Sequence, residues 1–542
     1  MDSPAIARAV VEELLAAGVA DVVVCPGSRS APIALSFADA ERRGLVRLHV
    51  RIDERSGAYL ALGISRGSGR PVVVVTTSGT AAVNLHPAIV EAAYSGVPLI
   101  AVTADRPSSV RGSGANQTID QRELFGSDVV TWADLEGMSD SVLRATVASA
   151  LDLAVGQSGP VHLNVPLAEP LVLADAHAIA PVPQRPRRHR DTGGRPSLAA
   201  VVPSDVDVTR GLIIAGDFDD DDVRADAADL AAQMGWPVIS EPSGNLSALP
   251  QSLRHGPLIL PGLAPQVIVT IGRVGLHRPE TAALAAARAH IAVDVPPRLG
   301  RVDPARTASL IVDAVPAADG PRDESWLAQW RAADDAAAGA IDAVLAQSPL
   351  TGPLVARLVA QQATDDDLLV IGASWPVRHV SLYAGPLRAR CIGNRGTSGI
   401  DGVVSTAWGA ALAHDRGATY ALVGDLTAIY DRNGLLAAPT ERLPRLTYVV
   451  IDNDGGGIFS MLEQGAPEFA TDFERVFGTP HGADLVELLA APRVRVQAVD
   501  SVESLRRALD EPSDGVRIIV ARCASRADEA AQVAALRAVT PA

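Results

Sequence analysis

Short apolar runs alternate with amphipathic segments along most of this chain. In the first third, a helical period over Ala5–Ala17 is followed by apolar runs at Val22–Cys25 and Val72–Thr76. A second helical segment, Ala81–Tyr94, leads to another apolar run at Leu99–Thr103. Strands that alternate with helices usually pair in parallel, so this region predicts a doubly wound sheet.

The same alternation recurs in two later blocks. The first of them contains short strand-like runs at Leu212–Ala215, Pro237–Ser240, Val267–Ile271 and Ile291–Val295. A helical segment over Ser325–Gln347 leads into the last block. There the pattern predicts a helix at Val404–His414 and strands at Leu368–Ile371, Tyr420–Val423 and Thr447–Ile451.

The fold class predicted from these patterns is α/β, with three doubly wound parallel-sheet domains. A chain of 542 residues is too long for a single hydrophobic core, which supports a division into about three domains. We expect the domains at residues 1–178, 198–320 and 350–542. The segment Ala176–Pro196 is rich in proline and arginine and has little periodicity, so we expect an interdomain linker there.

The composition is that of an ordinary globular protein, with 48% apolar and 20% charged residues. No apolar run reaches the ~18 residues that span a membrane, and the N-terminus lacks the pattern of a secretory signal. We therefore expect a cytoplasmic protein. A net charge of −16 disfavours nucleic acid or an acidic membrane as a partner.

All 47 basic residues are arginine, and the chain contains no lysine. This excludes Schiff-base aldolases, pyridoxal-phosphate enzymes and Walker-type nucleotide sites, because each needs a lysine amine. Bound anions must be held by guanidinium groups, backbone amides, hydroxyls or a metal ion. The three cysteines, Cys25, Cys391 and Cys523, lack the paired spacing of a zinc or redox site, so we expect them to be reduced and mostly buried.

The strongest chemical signal is a pair of motifs at the ends of two predicted strands. Asp425 follows the run Tyr420–Val423, and Asn453 follows the next run and precedes a glycine cluster. The 28 positions between them span one strand–helix–strand unit, so both side chains can emerge side by side. A carboxylate, an amide oxygen and a backbone carbonyl form the oxygen-rich set that Mg²⁺ prefers. The acidic run Asp217–Asp222 has no spaced partner, and we expect a solvated loop and helix start there.

The motif Gly424-Asp425-Leu426 resembles the Gly-Asp-Gly motif of thiamine-diphosphate enzymes, with Leu426 in place of the usual last glycine. In those enzymes a buried glutamate hydrogen-bonds the aminopyrimidine ring and favours its imino tautomer. Glu54, where an extended segment meets a helix of small residues, matches that position. A carboxyl group in an apolar setting can share its proton with a ring nitrogen at neutral pH. Taken alone, Asp53-Glu54-Arg55 also fits a charged first helical turn.

Four arginines stand near predicted strand ends, beside hydroxyl and amide side chains. The arginines are Arg29, Arg106, Arg378 and Arg395, and their polar neighbours are Ser28, Asn116, Gln117 and Ser374. A single such arginine would indicate a surface ion pair worth less than ~1 kcal/mol. Four of them suit recognition of several carboxylates by forked hydrogen bonds, which favours dicarboxylic substrates over pyruvate.

These motifs together resemble the menaquinone-pathway synthase family, MenD. The matching pieces are Cys-Pro-Gly-Ser-Arg, Asp-Glu-Arg-Ser, Thr-Ser-Gly-Thr-Ala, Ala-Asp-Arg-Pro, Gly-Ala-Asn-Gln-Thr, Asn-Arg-Gly with Ser-Gly-Ile-Asp-Gly, Gly-Asp-Leu-Thr and Asn-Asp-Gly-Gly-Gly-Ile-Phe. They cover both cofactor-binding domains in order, whereas the middle domain carries little signature. The resemblance implies synthesis of 2-succinyl-5-enolpyruvyl-6-hydroxy-3-cyclohexene-1-carboxylate from 2-oxoglutarate and isochorismate, with release of CO₂.

The resemblance also implies the cofactors and the residues that hold them. Thiamine diphosphate would bind with Mg²⁺, or Mn²⁺ in its place, and the metal ligands would be Asp425, Asn453 and the carbonyl of Gly455. Glu54 would activate the pyrimidine, and Ile400 would support the bent cofactor. Further cofactor contacts would come from Gly424, Leu426, Thr427, Gly456 and an apolar wall of Ile458, Phe459 and Leu462, which excludes water.

Substrate contacts would come from two subunits. The implied domains are a pyrimidine, a central and a diphosphate domain, and the cofactor would lie between the first domain of one subunit and the last of another. The chain would therefore form a homodimer or homotetramer. Carboxylates would be held by Ser374, Arg378 and Arg395 on one side, and from the partner subunit by Ser28, Arg29, Arg106, Asn116 and Gln117.

One departure from the family stands out, because relatives can use a middle-domain lysine at the active site. Here His277 or Arg278 is the nearest substitute, although a loop at a helix N-terminus explains these residues equally well. Two rival functions remain open. One is an acetolactate-synthase-like carboligase that turns over pyruvate, and the other is a non-catalytic sensor that binds thiamine diphosphate.

Overall fold

The computed structural model describes residues 1–174, 176–180, 182, 194–295 and 302–539. Within these ranges the chain forms three sheets, and every strand pairing in them is parallel. The predicted fold class is confirmed. The domain boundaries remain predictions, and the predicted linker lies mostly outside the described residues.

The first sheet contains six strands: β1 Asp21–Val24, β2 Arg47–Val50, β3 Val72–Thr76, β4 Leu99–Asp105, β5 Thr131–Asp134 and β6 Val161–Pro166. Their order across the sheet is β2-β1-β3-β4-β6-β5. The helices of this region are α1 Ser3–Ala16, α2 Ala31–Arg42, α3 Glu54–Ser68, α4 Thr80–Val83, α5 His86–Ser95 and α6 Asp140–Gly156.

The second sheet contains five strands: β7 Gly211–Ala215, β8 Val238–Ser240, β9 Val267–Ile271, β10 Ala289–Val293 and β11 Leu310–Val312. Their order is β11-β10-β9-β7-β8. The helices around it are α7 Leu198–Val201, α8 Asp221–Met234, α9 Gly256–Ile259, α10 Arg278–Ala286 and α11 Glu324–Leu345.

The third sheet contains six strands: β12 Leu368–Ile371, β13 Arg390–Ile392, β14 Thr419–Gly424, β15 Leu446–Asp452, β16 Val494–Val499 and β17 Val516–Arg522. Their order, β13-β12-β14-β15-β17-β16, repeats the topology of the first sheet. The helices are α12 Gly352–Gln362, α13 Trp375–Tyr383, α14 Val403–Ala413, α15 Asp425–Tyr430, α16 Ala470–Phe473, α17 Leu485–Leu488, α18 Val502–Asp510 and α19 Arg526–Ala538.

The predicted strands and most predicted helices match the structure to within two or three residues. The single helix expected over Ala81–Tyr94 is wrong, because the chain forms α4 and α5 with a break at Asn84 and Leu85. Pro87 stands in the first turn of α5, where its missing N–H costs nothing, and this favours a new helix start. None of the helices in the described part of the chain has the length and apolar character needed to cross a membrane.

The first and third sheets share one hydrophobic core. It includes Val74 from β3, Leu60 from α3, Trp408 from α14 and Val450 from β15. Helices α3 and α14 lie against each other at the centre of this core, and glycines allow their backbones to come close. A Cβ atom built on Gly63 would overlap the carbonyl oxygen of Thr406, and one built on Gly409 would overlap that of Leu60.

A buried ion pair attaches the middle domain to this core. Arg66, near the end of α3, donates to the Asp217 carboxylate at 2.8 Å, and both side chains are buried. The solvated loop expected over Asp217–Asp222 is therefore wrong at its first residue. Phe218 is buried as well, and the expectation is confirmed only from Asp219 onwards, where Asp220 caps α8 and accepts hydrogen bonds from the N–H groups of Asp222 and Val223.

All three cysteines are free, as expected. Cys25 and Cys391 are buried, and Cys523 is half-buried. Burial raises the pKa of Cys391 to about 12, which keeps its thiol protonated at neutral pH.

The close contact between α3 and α14 predicts a large effect of one methyl group. We expect Gly63→Ala to lower the free energy of unfolding by roughly 1–3 kcal/mol, because the new Cβ meets a backbone carbonyl that cannot rotate away. Gly339→Ala is the matched control, since Gly339 lies within α11 with nothing near its Cβ position. That change should stabilise the protein slightly. Denaturant unfolding of both variants checks this, and equal effects would contradict the packing account.

Candidate active site

Asp425 lies at the end of β14, as the first residue of α15, and only 2% of its surface is exposed. Its Oδ2 atom accepts hydrogen bonds from the N–H groups of Gly455 at 2.8 Å and Asn453 at 3.2 Å. This adjacency follows from the parallel pairing of β14 with β15, which brings both strand ends to one edge of the sheet. The structure therefore brings the three predicted metal ligands together.

Asp425, Asn453 and Gly455 form a group that we call the Asp425 cluster. His481 also belongs to it, and sequence reasoning missed this residue. Its Nε2 atom lies 3.5 Å from Oδ2 of Asp425 and 3.6 Å from Oδ1 of Asp452. The Asp425 carboxylate raises the pKa of the imidazole. Among the described residues, Asp425, Asp452 and His481 form the one group of acidic, histidine or cysteine side chains close enough to hold a metal ion together.

The donor set fits a hard divalent cation. Carboxylate, amide and backbone carbonyl oxygens dominate it, as Mg²⁺ requires, whereas the imidazole of His481 is a nitrogen donor that Mg²⁺ accepts less readily. Thr427, expected to hold diphosphate, is buried two residues beyond Asp425. Leu426 and Gly424 are half-buried, and little crowds the Cβ position of Gly424, so a ligand can approach its backbone.

The glycine cluster after Asn453 is required by close chain contact. Gly455 has a φ angle of +128°, and a Cβ atom there would overlap the carbonyl oxygen of Gly478. A Cβ atom on Gly456 would similarly overlap the carbonyl oxygen of Phe477. The residues predicted to form an apolar wall come next in the chain. Ile458 and Phe459 are half-buried in a short 3₁₀ helix, Gly457–Met461, and Leu462 caps its end.

Glu54 is the first residue of α3, and the Asp53 carboxylate caps the helix by accepting the N–H of Ser56 at 3.1 Å. Glu54 is half-buried, and its side chain makes no hydrogen bond or ion pair within the described part of the chain. Its neighbour Ile52 is 74% exposed. A single chain thus does not supply the apolar setting expected around Glu54.

A buried aspartate fixes the start of α3 against the third sheet. Asp431 accepts hydrogen bonds from the N–H of Ser405 at 2.7 Å and the hydroxyl of Ser56 at 3.2 Å, and it pairs with Arg55 at 3.4 Å. Burial raises the pKa of Asp431 to about 6. This carboxylate joins the N-terminal ends of α3 and α14, and with them the backbone that carries Glu54.

Arg378 and Arg395 lie near each other, in the segments that follow the C-terminal ends of β12 and β13. Arg378 donates to the carbonyl oxygen of Ser374 at 3.0 Å, and Ser374 has a left-handed φ of +68°. Burial and the neighbouring charge of Arg395 lower the pKa of Arg378. Neither arginine forms an ion pair within the described part of the chain, but both interact electrostatically with the buried Glu241.

Neighbouring domains hold the loop that carries Arg395. Glu91 from α5 accepts the N–H groups of Gly396 and Thr397, each at 2.7 Å. Arg273 from the middle domain donates to the carbonyl oxygen of Gly396 at 2.6 Å. All three sheets therefore contribute to the position of Arg395. Ile400, further along this loop, is half-buried.

Of the two middle-domain candidates, His277 lies beside this arginine pair. His277 is buried and hydrogen-bonded to Ser381 at 2.9 Å, and burial together with Arg378 and Arg395 lowers its pKa to about 3. Arg278 is exposed and pairs with Glu463 at 2.9 Å. The imidazole is thus neutral at pH 7, while the Arg278 guanidinium is exposed and held by Glu463.

The N-terminal candidates form a separate group. Arg106 donates to the carbonyl oxygen of Asn116 at 3.0 Å, and Gln117 exchanges two 2.9 Å hydrogen bonds with Ser78. Arg29 is buried and donates to the carbonyl oxygen of Leu167 at 2.8 Å, next to the exposed Ser28. Within the described residues, no hydrogen bond or ion pair joins this group to the Asp425 cluster or to the arginine pair.

A buried polar network that sequence reasoning missed supports these N-terminal loops. Gln121 accepts the N–H of Gly79 at 2.9 Å and donates to Asn164 at 3.0 Å, and Asn164 donates to Asp105 at 3.0 Å. All three side chains are fully buried. They join residues far apart in the sequence, so no local pattern could have revealed them.

Comparison with known proteins adds to this geometry. Residues 5–124 match a family model described as thiamine pyrophosphate enzyme, N-terminal TPP binding domain. Proteins named 2-succinyl-5-enolpyruvyl-6-hydroxy-3-cyclohexene-1-carboxylate synthase are similar over nearly their whole length. The Nocardioides protein is 42% identical over 98% of both chains. The Rhodococcus opacus protein is 42% identical, over 95% of this chain and 96% of its own length. The Saccharopolyspora erythraea protein is 41% identical, over 97% of this chain and 96% of its own length.

The buried Asp431 predicts a pH dependence of stability. Its folded-state pKa of about 6 exceeds the ordinary value of 3.8, so its contribution to stability is fully present below pH 3.8 and lost as the pH rises through 6. We expect the wild type to lose on the order of 3 kcal/mol relative to Asp431→Asn across this range. Denaturant unfolding at several pH values measures the difference, with Asp472→Asn as an exposed control. Parallel curves for wild type and Asp431→Asn would contradict the assignment.

Proposed function

This chain belongs to the family of 2-succinyl-5-enolpyruvyl-6-hydroxy-3-cyclohexene-1-carboxylate synthases, which are thiamine-diphosphate enzymes, and on this premise we propose its reaction. We propose that it decarboxylates 2-oxoglutarate and adds the remaining succinyl fragment to isochorismate, in menaquinone biosynthesis. When bound, thiamine diphosphate supplies the carbanion chemistry of both steps. The chain's own residues bind, orient and shield the reactants.

The metal and diphosphate end of the cofactor would be held at the edge of the third sheet. Asp425, Asn453 and the Gly455 carbonyl would ligate Mg²⁺ or Mn²⁺, and Thr427 with the neighbouring backbone amides would contact the diphosphate. The clustering of these residues around the Asp425 carboxylate supports this assignment. Ile400 would support the bent cofactor, and Ile458, Phe459 and Leu462 would limit the access of water.

The pair formed by Arg378 and Arg395 is the feature that bears on which 2-oxo acid and acceptor bind. Arg378 and Arg395 are two neighbouring cations that repel each other. The buried Glu241, whose pKa is raised by burial, interacts with both electrostatically but forms no ion pair with either among the described residues. A bound dianion would remove that repulsion and accept forked hydrogen bonds from both. Pyruvate offers one carboxylate, whereas 2-oxoglutarate and isochorismate each offer two. This observation supports dicarboxylate substrates most directly.

We propose that a partner subunit completes the site. In the single chain, Glu54 is half-buried beside the exposed Ile52, and the N-terminal polar group does not contact the Asp425 cluster. A second copy would bury Ile52 and bring its own Glu54, Ser28, Arg29, Arg106, Asn116 and Gln117 to the site. The minimal active unit is then a homodimer, and a tetramer would be a pair of such dimers. A cytoplasmic location stays a prediction.

The proposed reaction predicts a specific dependence on the donor acid. With thiamine diphosphate and Mg²⁺, the protein should consume isochorismate in the presence of 2-oxoglutarate and not with pyruvate, as followed by isochorismate absorbance. Glu54→Gln should abolish this consumption while leaving the protein folded, because the amide cannot share a proton with the pyrimidine. Turnover of pyruvate would favour the acetolactate-synthase-like alternative. Tight cofactor binding without any turnover would favour a sensor.

The arginine pair predicts a change in substrate binding. We expect Arg378→Ala and Arg395→Ala each to raise KM for at least one dicarboxylate roughly 10- to 100-fold, the usual effect of losing a charged hydrogen bond. The affinity for thiamine diphosphate should not change. Arg388→Ala is the matched control. Arg388 lies between Arg378 and Arg395 in the sequence, but it is exposed and already paired with Asp365. An unchanged KM for both substrates in either arginine variant would remove that arginine from the substrate site.

A further inference from the structure

Glu529 is a buried glutamate whose carboxylate contacts Asn453, a predicted metal ligand. It lies in the first turn of α19, and 1% of its surface is exposed. One of its oxygens accepts a hydrogen bond from the side-chain Nδ2 of Asn453, and the other lies 2.9 Å from Nε2 of His379. His379 is fully buried and stacks on Trp375. No sequence pattern marks Glu529, because it is 76 positions from Asn453.

The start of α19 holds the metal loop at several points. Arg526 donates to the carbonyl oxygens of Asp454 at 2.8 Å and Gly478 at 2.6 Å. Just before the helix, the N–H of Cys523 donates to the carbonyl oxygen of Asp452 at 2.8 Å. These contacts fix the backbone of the loop. The hydrogen bond from the Asn453 side chain to Glu529 therefore sets only the orientation of the Asn453 side-chain amide.

An asparagine amide has one oxygen and one nitrogen on opposite sides, and a metal ion needs the oxygen. A carboxylate can only accept hydrogen bonds, so Glu529 holds the nitrogen and turns Oδ1 away from itself. No hydrogen bond from a described residue reaches Oδ1. The flipped amide would place two oxygens in contact within a buried site, which is unfavourable.

We propose that Glu529 is a positioning residue that sets the amide of Asn453 with its oxygen towards the metal ion. This inference rests on the proposed function, because it assumes that Asn453 is a metal ligand. The site is built tightly around Glu529, since a Cβ atom on Gly352 would overlap its Oε1 atom. Groups that orient metal ligands typically change metal affinity 10- to 100-fold when they are replaced.

The test measures metal affinity directly, by the electron paramagnetic resonance signal of free Mn²⁺ in the presence of thiamine diphosphate. Glu529→Gln keeps the shape of the side chain, and with its amide oxygen towards His379 it presents its Nε2 donor to Asn453, which favours the flipped amide of Asn453. Glu529→Asp keeps the charge but loses the reach. We expect both variants to weaken Mn²⁺ binding roughly 10- to 100-fold, whereas a purely electrostatic effect of Glu529 would weaken it only in Glu529→Gln.

A double variant and a matched control complete the test. In Asn453→Asp with Glu529→Gln, the new carboxylate presents an oxygen on either side and accepts from the new amide, so Mn²⁺ affinity should recover to within about threefold of wild type. Gln532→Ala is the control, because Gln532 lies one turn later on α19 and bonds Thr351. It loosens the helix without touching Asn453, so its Mn²⁺ affinity should match wild type.

Three results would overturn the inference: wild-type affinity in Glu529→Asp, less than a twofold change in Glu529→Gln, or a double variant that binds no better than Glu529→Gln. Asp425→Asn separates this inference from the proposed metal site. If Asp425→Asn binds Mn²⁺ as tightly as wild type, the metal site itself is misplaced and both proposals fall. If Asp425→Asn loses binding while the Glu529 variants keep it, only the role of Glu529 fails.

Discussion

The contact between α3 and α14 is the constraint on which the rest of the structure depends. Gly63 and Gly409 let the two helices pack at backbone distance, and the first and third sheets then share a single core. The start of α3, which carries Glu54, and the start of α14 are tied by Asp431. A shift of either helix would displace the polar groups at both sheet edges, so site geometry and core packing are inseparable.

Charge is distributed unevenly around this core. Most arginines form ion pairs or donate to backbone carbonyls, as Arg66 does with Asp217 and Arg273 with Gly396. Arg378 and Arg395 differ from the paired arginines, because they lie near each other and neither forms an ion pair among the described residues, although both interact electrostatically with the buried Glu241. Two arginines held this close together repel each other, and a bound anion would offset that repulsion. The proposed binding of dicarboxylates uses this feature of the fold.

Local patterns predicted the strands and the meeting of Asp425 with Asn453, because both follow from apolar runs and parallel pairing. They did not predict the break before α5, where Pro87 favours a new helix start, or the burial of Asp217, which a partner from another domain causes. His481, Glu529 and Gln121 were missed for the same reason. Each acts on residues distant in sequence, and only the folded chain shows the contact.

In the proposed homodimer, Glu54 of one subunit works with the Asp425 cluster of the other. Mixing Glu54→Gln and Asp425→Asn proteins, each inactive alone, after dissociation and reassociation tests it directly. Hybrid dimers would then contain one site with both native residues, and random pairing predicts recovery of about a quarter of the wild-type rate of isochorismate consumption. No recovery, with hybrid dimers shown to form, would contradict a shared site and place both residues in one chain.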